Sequence, residues 1–506
     1  MYPAAAVELA DTERLLRMRE GDAVALGEML RAIGLDEGFV AKVARVGDRL
    51  DDPLRAPMRA WHARRLSEPA AAAMRLFLLH DPVTEEEAAC AVGDLLPLRA
   101  CGLLSGAGDV VTSPVHLALA GSLLVFGDRF ASADAVPPLN AVTAALARAA
   151  LPRAPVDAAL DLGCGAGALA LAMAKVARRV VATDVNPRAL SWARFNARLN
   201  AIAGLDLRLG HLFDPVPEER FDLVVSQPPF VARRAGADPS AFAHGGERGD
   251  ELALQVLAGA ATHLTPDGRA IVLADWPLFD GDPLDTRVRA ALGDACVDAL
   301  VLQSPGKNLD EYCTSIAAAE HPCLDEAFAR AACAQRDHFE RLGVRGVAQG
   351  LVILQASAAR RSALVAVRHG HDAPIASAIV DRIVAAHALA SGSEGSLRAA
   401  RLRMPSGTRL LEQPSAHGAG PAVVVQLPPF RPEWPFALEP AAAAALRAID
   451  EAPSVLEAAR AAARREGVPV EAAAERLERV ARDALRRGAL EVAAGSAGGG
   501  GLASPV

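Results

Sequence analysis

"ALDLGCGAGALALAMA", residues 159–174, decides the fold. Apolar residues run up to Asp161 and Leu162, as at the end of a buried strand. Gly163, Gly165 and Gly167 follow, and then a stretch rich in Ala and Leu that reads as a helix. Glycine supplies unusual dihedrals for a turn and lets backbone approach a ligand closely. The spacing is G-x-G-x-G, with an acid two residues ahead. A dinucleotide fingerprint reads G-x-G-x-x-G, and position 168 is Ala, so that pattern is not met. An acid just before the loop is also awkward beside a pyrophosphate. It suits a cationic ligand part or a bound amino group.

The surroundings have the rhythm of strands alternating with helices. Short apolar runs occur at "DAALDL", "RVVATD", "LDLRLG", "FDLVVS", "GRAIVLADW", "VDALVLQ" and "GLVILQA", with helical segments such as "PRALSWARFNARLN" and "ELALQVLAGAATHL" among them. Seven strands with interleaved helices predict a doubly wound, mainly parallel sheet. Ligands bind such sheets at the carboxyl ends of the strands. The second strand, "RVVATDVNPRAL", ends in Asp184, 23 residues after Asp161, and Val185 and Asn186 follow.

The segment Asp161-Leu-Gly163-Cys164-Gly165-Ala-Gly167 resembles the first motif of class I S-adenosylmethionine methyltransferases. The resemblance implies an α/β fold with a Rossmann-like seven-stranded sheet. It implies that the loop wraps the methionine portion of S-adenosylmethionine, with Asp161 helping to hold it directly or through water. Asp184 would accept both ribose hydroxyls, a chelate that a carboxylate makes well. Val185 and Asn186 fall where adenine would lie. Relatives commonly read Gly-Asp-Leu-Phe after the third strand. This chain has Gly210-His211-Leu212-Phe213. Neutral His211 can accept one hydrogen bond, or backbone serves instead, and an ordinary surface histidine is the alternative. The product would be S-adenosylhomocysteine.

The fourth strand ends in Gln227-Pro228-Pro229-Phe230. Two prolines cannot continue a sheet ladder, because neither has an N–H to donate. The motif resembles the Asn-Pro-Pro-Tyr/Phe of methyltransferases acting on planar nitrogen, which include release-factor glutamine methyltransferases and base-amino methyltransferases of RNA and DNA. An amide or aryl amine has a delocalised lone pair. A side-chain carbonyl and a proline-region backbone carbonyl can hold its two N–H bonds out of plane and free that pair. Phe230 offers a face for a planar substrate. Gln227 departs from the family's Asn by one methylene, so the substrate must sit differently or be smaller. Downstream, "HGGERGDELALQVL" resembles the Gly-Gly-x-x-Gly segment of the glutamine methyltransferases and is read as a substrate-side loop opening a helix at Asp250 and Glu251.

The rest of the chain sets bounds. It has 506 residues and a net charge of −8, which does not favour extended nucleic-acid binding, although Arg233 and Arg234 follow the motif. Seven cysteines without a C-x-x-C pair suggest reduced thiols in a cytoplasmic protein and no metal site. No apolar run reaches membrane-spanning length, and no signal peptide is read at the start. The expected organisation is a mainly helical, winged-helix-like recognition domain at 1–135, the methyltransferase domain at 138–357, a small α+β region at 358–437, a helical winged-helix-like module at 438–492 and a disordered tail at 493–506. "VVVQLPPF" at 423–430 looks like a second copy of the motif but lacks a preceding glycine loop and is read as structural. His369 and His371 have no matching ligands nearby, and Cys313, Cys323 and Cys333 lack a nucleophile's surroundings. The expected activity is N-methylation of a side-chain amide, a nucleobase amine or a natural-product amine, with a protein, RNA or small-molecule acceptor. The alternatives are a small-molecule O- or N-methyltransferase and a non-catalytic protein that binds the cofactor.

Overall fold

The computed structural model describes residues 10–44, 56–129, 134–234, 244–304, 306–321, 325–356, 365–368, 375–413, 422–427 and 436–493. His369, His371, Cys323, Pro428, Pro429, Phe430 and the 494–506 tail lie outside them.

The central sheet has eight strands: β1 (Val156–Leu162), β2 (Ala177–Asp184), β3 (Leu205–Leu209), β4 (Phe221–Ser226), β5 (Leu264–Phe279), β6 (Val297–Gln303), β7 (Val344–Ala356) and β8 (Val365–Arg368). Their order across the sheet is β3-β2-β1-β4-β5-β7-β6-β8. Only β7 runs antiparallel to its neighbours. All seven strands expected from the apolar runs are present. The eighth comes from the region expected to be separate, since β8 pairs in parallel with β6 and covers its open edge.

The strands are apolar on both faces because helices cover both. Leu160, Val181 and Val224 enter one core, and Ala159, Val180 and Leu223 enter the other. The chain order reverses between β1 and β4, so the crevice lies at their carboxyl ends. Register fixes what meets there. Leu162 pairs with Thr183 on one side and with Ser226 on the other. The loops starting at Gly163 and Gln227 therefore leave the sheet side by side, next to Asp184. Ser226 Oγ donates to the Leu162 carbonyl at 2.7 Å and pins the two strand ends together.

Residues 10–129 form helices and hairpins. Thr84 and Glu87 close a reciprocal cap at the Glu85–Val92 helix: Glu87 N–H donates to Thr84 Oγ1 at 3.1 Å, and Thr84 N–H donates to Glu87 Oε2 at 2.8 Å. The hairpin of Val115–Ala120 and Leu123–Asp128 packs onto the Pro187–Leu199 helix that follows β2. Two polar anchors fix this junction. Asp128 is buried, pairs with Arg188 and accepts from Val136 N–H at 2.8 Å and Trp192 Nε1–H at 3.3 Å. Asn196 is fully buried and exchanges two bonds with the Phe126 backbone, at 2.9 and 2.8 Å, while its Nδ2 also donates to the Ala166 carbonyl in the glycine loop at 2.9 Å.

Two further helices, Leu309–Glu320 and Glu326–Leu342, are inserted between β6 and β7. At the other end, the Ser377–Ser391 helix places Val380 in the sheet's core and Ala386 and Ala390 in a separate C-terminal core. That second core is built from the Pro440–Glu451, Val455–Glu466 and Val470–Arg486 helices and a three-stranded sheet that includes Ala422–Gln426. The apparent second motif copy thus begins inside a small sheet remote in sequence from the glycine loop. Among the described residues, no helix is long and apolar enough to cross a membrane.

Replacing Asn196 with Ala leaves the Phe126 N–H and the Phe126 and Ala166 carbonyls buried without partners. At about 1–3 kcal/mol for each of these three buried groups, a stability loss of about 3 kcal/mol or more is expected in urea unfolding. A loss within error of wild type would show that the junction is held by its apolar contacts alone.

Candidate functional site

The glycine loop turns sharply after β1. Gly163, Gly165 and Gly167 have φ of 77°, 51° and 86°, a region that L side chains rarely adopt. Their reasons differ. A Cβ on Gly167 would stand 2.9 Å from the Ala193 Cβ, so that glycine serves packing against the Pro187–Leu199 helix. A Cβ on Gly163 or Gly165 would meet nothing within 4 Å. Those two leave an open cradle with bare backbone on its wall.

Asp161 stands behind the cradle, fully buried. Its Oδ2 accepts from Ala170 N–H at 2.8 Å, while Oδ1 is buried with no partner. Burial pushes its carboxyl up to about 7, against the Ala170 N–H and with a further push from Asp184. Cys164 is buried, and burial raises its thiol well above the ordinary range, so it is no nucleophile. Asp184 ends β2 and takes one hydrogen bond on each oxygen, from Gly165 N–H and Asn186 N–H, both at 2.9 Å. Each oxygen keeps a further lone pair, and burial raises this carboxyl too. Val185 is 63% exposed on the adjoining surface. Asn186 caps the next helix by accepting from Arg188 N–H at 2.9 Å. His211 and Leu212 form the turn after β3, which is tied to β2 by Gly210 N–H on the Asp184 carbonyl at 3.0 Å. His211 is exposed and Leu212 packs beside a core.

Gln227 is half-buried, and its Oε1 lies 2.8 Å from Thr143 Oγ1, the donor. Pro228 is buried, whereas Pro229 and Phe230 are half-buried. The Gly-Gly-x-x-Gly segment is wrapped against this motif. Val231–Ala232 pairs in parallel with His244–Gly246. A Cβ on Gly245 would collide with the carbonyl oxygens of Pro229 and Gly249, and one on Gly249 would stand 2.7 Å from the Phe230 carbonyl oxygen. Glycine at these positions lets one backbone lie directly on another. Glu251 closes the loop by accepting from Arg248 N–H at 2.8 Å and Gly249 N–H at 2.9 Å.

The inserted helices hold the far side of the same segment. Gln335 Nε2 donates to the Ala232 carbonyl at 3.2 Å, His338 Nε2 donates to the Glu247 carbonyl at 2.8 Å, and Arg234 pairs with Glu320 at 2.6 Å. Arg234 is therefore buried in an ion pair and does not face a phosphate backbone. Sequence reasoning missed these helices, Thr143 and Asp275. Asp275 sits near the end of β5 with its carboxyl raised by burial, against the opposing influence of Tyr312, Gln349 and Lys307. The letters around it, "VLADWPLF", read only as a strand. Among the described residues there is no cluster of three or more metal-binding side chains.

A sheet in this strand order, with a glycine cradle and paired acids at its switch point, defines a class I methyltransferase, the class that uses S-adenosylmethionine. The Methyltransferase small domain family matches residues 139–279. Similar proteins include the release factor glutamine methyltransferase of Cereibacter sphaeroides, 32% identical over 240 residues that make up 44% of this chain and 84% of that protein. The chain belongs to this family of glutamine methyltransferases. The counterpart from Xylella fastidiosa is 37% identical over 127 residues, 23% of this chain and 46% of that protein. The ribosomal protein uL3 glutamine methyltransferase of Bordetella pertussis is 36% identical over 124 residues, 22% of this chain and 42% of that protein. The chain thus spans most of the first relative and under half of the other two.

Gly245→Ala is expected to push the Pro229 carbonyl out of place. Overpacking of this kind costs about 1–3 kcal/mol. Hydrogen exchange should report faster exchange at the amides of Phe230, Val231 and Ala232. Unchanged protection there would mean that the loop does not clamp the motif.

Proposed function

We propose that this protein transfers a methyl group to the side-chain amide nitrogen of a glutamine in a protein acceptor. The observation that carries this is the side-by-side exit of the glycine loop and the Gln-Pro-Pro-Phe turn, set by the Leu162–Ser226 pairing. The relatives' names supply the acceptor class, release factor and ribosomal protein uL3. They leave the RNA and small-molecule acceptors without support.

The residues present fit the cofactor. Gly163 and Gly165 leave room for it, the unpartnered Asp161 Oδ1 faces a need for a donor or cation, and Asp184 keeps acceptor capacity for two hydroxyls. S-adenosylmethionine, when bound, supplies an electrophilic methyl group. The chain does the rest. Gln227 and a proline carbonyl accept the two amide N–H bonds, turn the nitrogen lone pair out of conjugation and stabilise positive charge developing on it. Phe230 bounds the planar group. The N-terminal helices, welded to the helix beside the cradle, are the proposed acceptor-recognition unit. Packing is the role proposed for the C-terminal unit.

Incubation with labelled S-adenosylmethionine and purified bacterial release factor or uL3, followed by mass spectrometry, is expected to find methylglutamine. Cofactor binding without incorporation into either protein would overturn the acceptor assignment. Gln227→Ala is expected to lower kcat by about 10²-fold, the usual loss for one preorganised transition-state contact, with cofactor affinity unchanged in calorimetry.

Asp161 gives a pH signature. Holding a cationic group requires its ionised form, and its carboxyl sits at about 7 in the free protein. Cofactor affinity is expected to rise with pH through that value and then level off, and Asp161→Asn should flatten the profile. For the free protein the sign is opposite. The stability Asp161 contributes is full below its unfolded value of about 3.9 and is lost as pH rises through about 7.

A further inference from the structure

We infer that Thr143 is the positioning residue that fixes the Gln227 amide, with Asn140 as the partner that lets it do so in either amide orientation. The inference rests on the acceptor role proposed for Gln227.

Thr143 lies in the first turn of the Ala141–Ala150 helix. That helix buries Leu146, Ala149 and Ala150 in the same core as Leu223 and Val225 of β4. It is therefore seated on the strand that carries Gln227. Thr143 Oγ1 is 2.8 Å from Gln227 Oε1 and 3.1 Å from Asn140 Oδ1. Asn140 caps the helix, and its Oδ1 already accepts from Thr143 N–H at 2.9 Å, so that oxygen is fixed in place.

A threonine hydroxyl has one proton and lone pairs to spare. It cannot donate to both carbonyl oxygens at once. Two arrangements satisfy the geometry. In one, Thr143 donates to Gln227 Oε1, as the atoms stand. In the other, the Gln227 amide is turned over. Its Nε2 then donates to Thr143 Oγ1, and the hydroxyl turns its own hydrogen bond to Asn140 Oδ1. Each contact in this second chain has its own proton, and Oε1 is released toward the crevice with both lone pairs free. Thr143 thus holds Gln227 when the site is empty and still holds it when the carbonyl has to serve an acceptor N–H. No bond is broken except hydrogen bonds, and no proton leaves the group.

The need follows from the extra methylene. Glutamine has one more rotatable side-chain bond to freeze than asparagine. An untethered Gln227 would sample carbonyl positions that miss the acceptor, and small misplacements are costly in a reaction that depends on alignment. A neighbouring hydroxyl on a packed helix removes that freedom.

The test uses the full chain with release factor as the acceptor probe. Thr143→Val keeps the shape and removes the hydroxyl. It is expected to lower kcat by roughly 10–10²-fold, the scale of a misplaced reacting group, with KM for release factor and calorimetric cofactor affinity within about twofold of wild type. Thr143→Ser should restore most of the rate. In a Gln227→Ala background, Thr143→Val should have no further effect, because there is no amide left to hold. Independently of any acceptor, protein labelled with ¹⁵N-glutamine should show the Gln227 side-chain NH₂ signals displaced by Thr143→Val and not by Thr143→Ser. Three results would each overturn the inference: a wild-type rate for Thr143→Val, a Ser variant as impaired as Val, or undisturbed NH₂ signals in the Val variant. If Gln227→Ala is impaired and Thr143→Val is not, the inference alone fails. If Gln227→Ala turns over at the wild-type rate, the acceptor reading fails.

Discussion

The pairing of Leu162 with Ser226 is the constraint on which the rest of the site depends. It is a parallel register at the point where the sheet reverses its winding. Side chains alternate faces along a strand, so a slip of one residue would exchange the inner and outer sets of β4. Gln227 would then leave the face on which Thr143 and the Ala141–Ala150 helix lie. Both cores oppose such a slip, because β4 is buried on each side, with Val224 in one core and Leu223 and Val225 in the other. Ser226 Oγ adds a local lock on the Leu162 carbonyl. Apolar packing on two faces thereby sets the separation between the glycine cradle and the Gln-Pro-Pro-Phe turn. Neither loop determines it alone.

Much of this was legible in the letters. The seven sheet strands, the glycine turn, the acid ending β2 and the proline-stopped β4 all announce themselves. Each reflects a local requirement: a long apolar run, a positive φ, or a missing N–H. What stayed hidden depends on partners far along the chain. The letters "ALVAVRH" mark β8 as a short strand, but only the open edge of β6 makes it a strand of this sheet. The inserted helices carry ordinary amphipathic sequence, and nothing in it says that Gln335 and His338 will reach the carbonyls of Ala232 and Glu247. Thr143 and Gln227 are 84 residues apart. A threonine in the first turn of an alanine-rich helix gives no sign of that partner.

The Gly245–Gly249 segment gained most from being seen in three dimensions. Read as letters, it is a loop that opens a helix. In the fold it is a second layer of backbone over Pro229 and Phe230, closed by Glu251 and held from outside by His338 of the inserted helices. The prolines stiffen the motif from within, and this layer stiffens it from above. The backbone of this motif is thus braced by three chain segments.

The Ser377–Ser391 helix belongs to two interiors at once. Val380 fills a gap beside the sheet, while Ala386 and Ala390, two turns further along, fill one in the C-terminal unit. A rod shared in this way acts as a mechanical shaft. Loosening at one end removes support from the other, and the two bodies melt as neighbours in one cooperative event more readily than as separate beads. Residues that never approach the crevice thereby gain a hold on it. The Ala141–Ala150 helix, and β5 through the Arg269–Asp381 pair at 2.6 Å, are thus braced by a helix whose other end is anchored in the C-terminal unit.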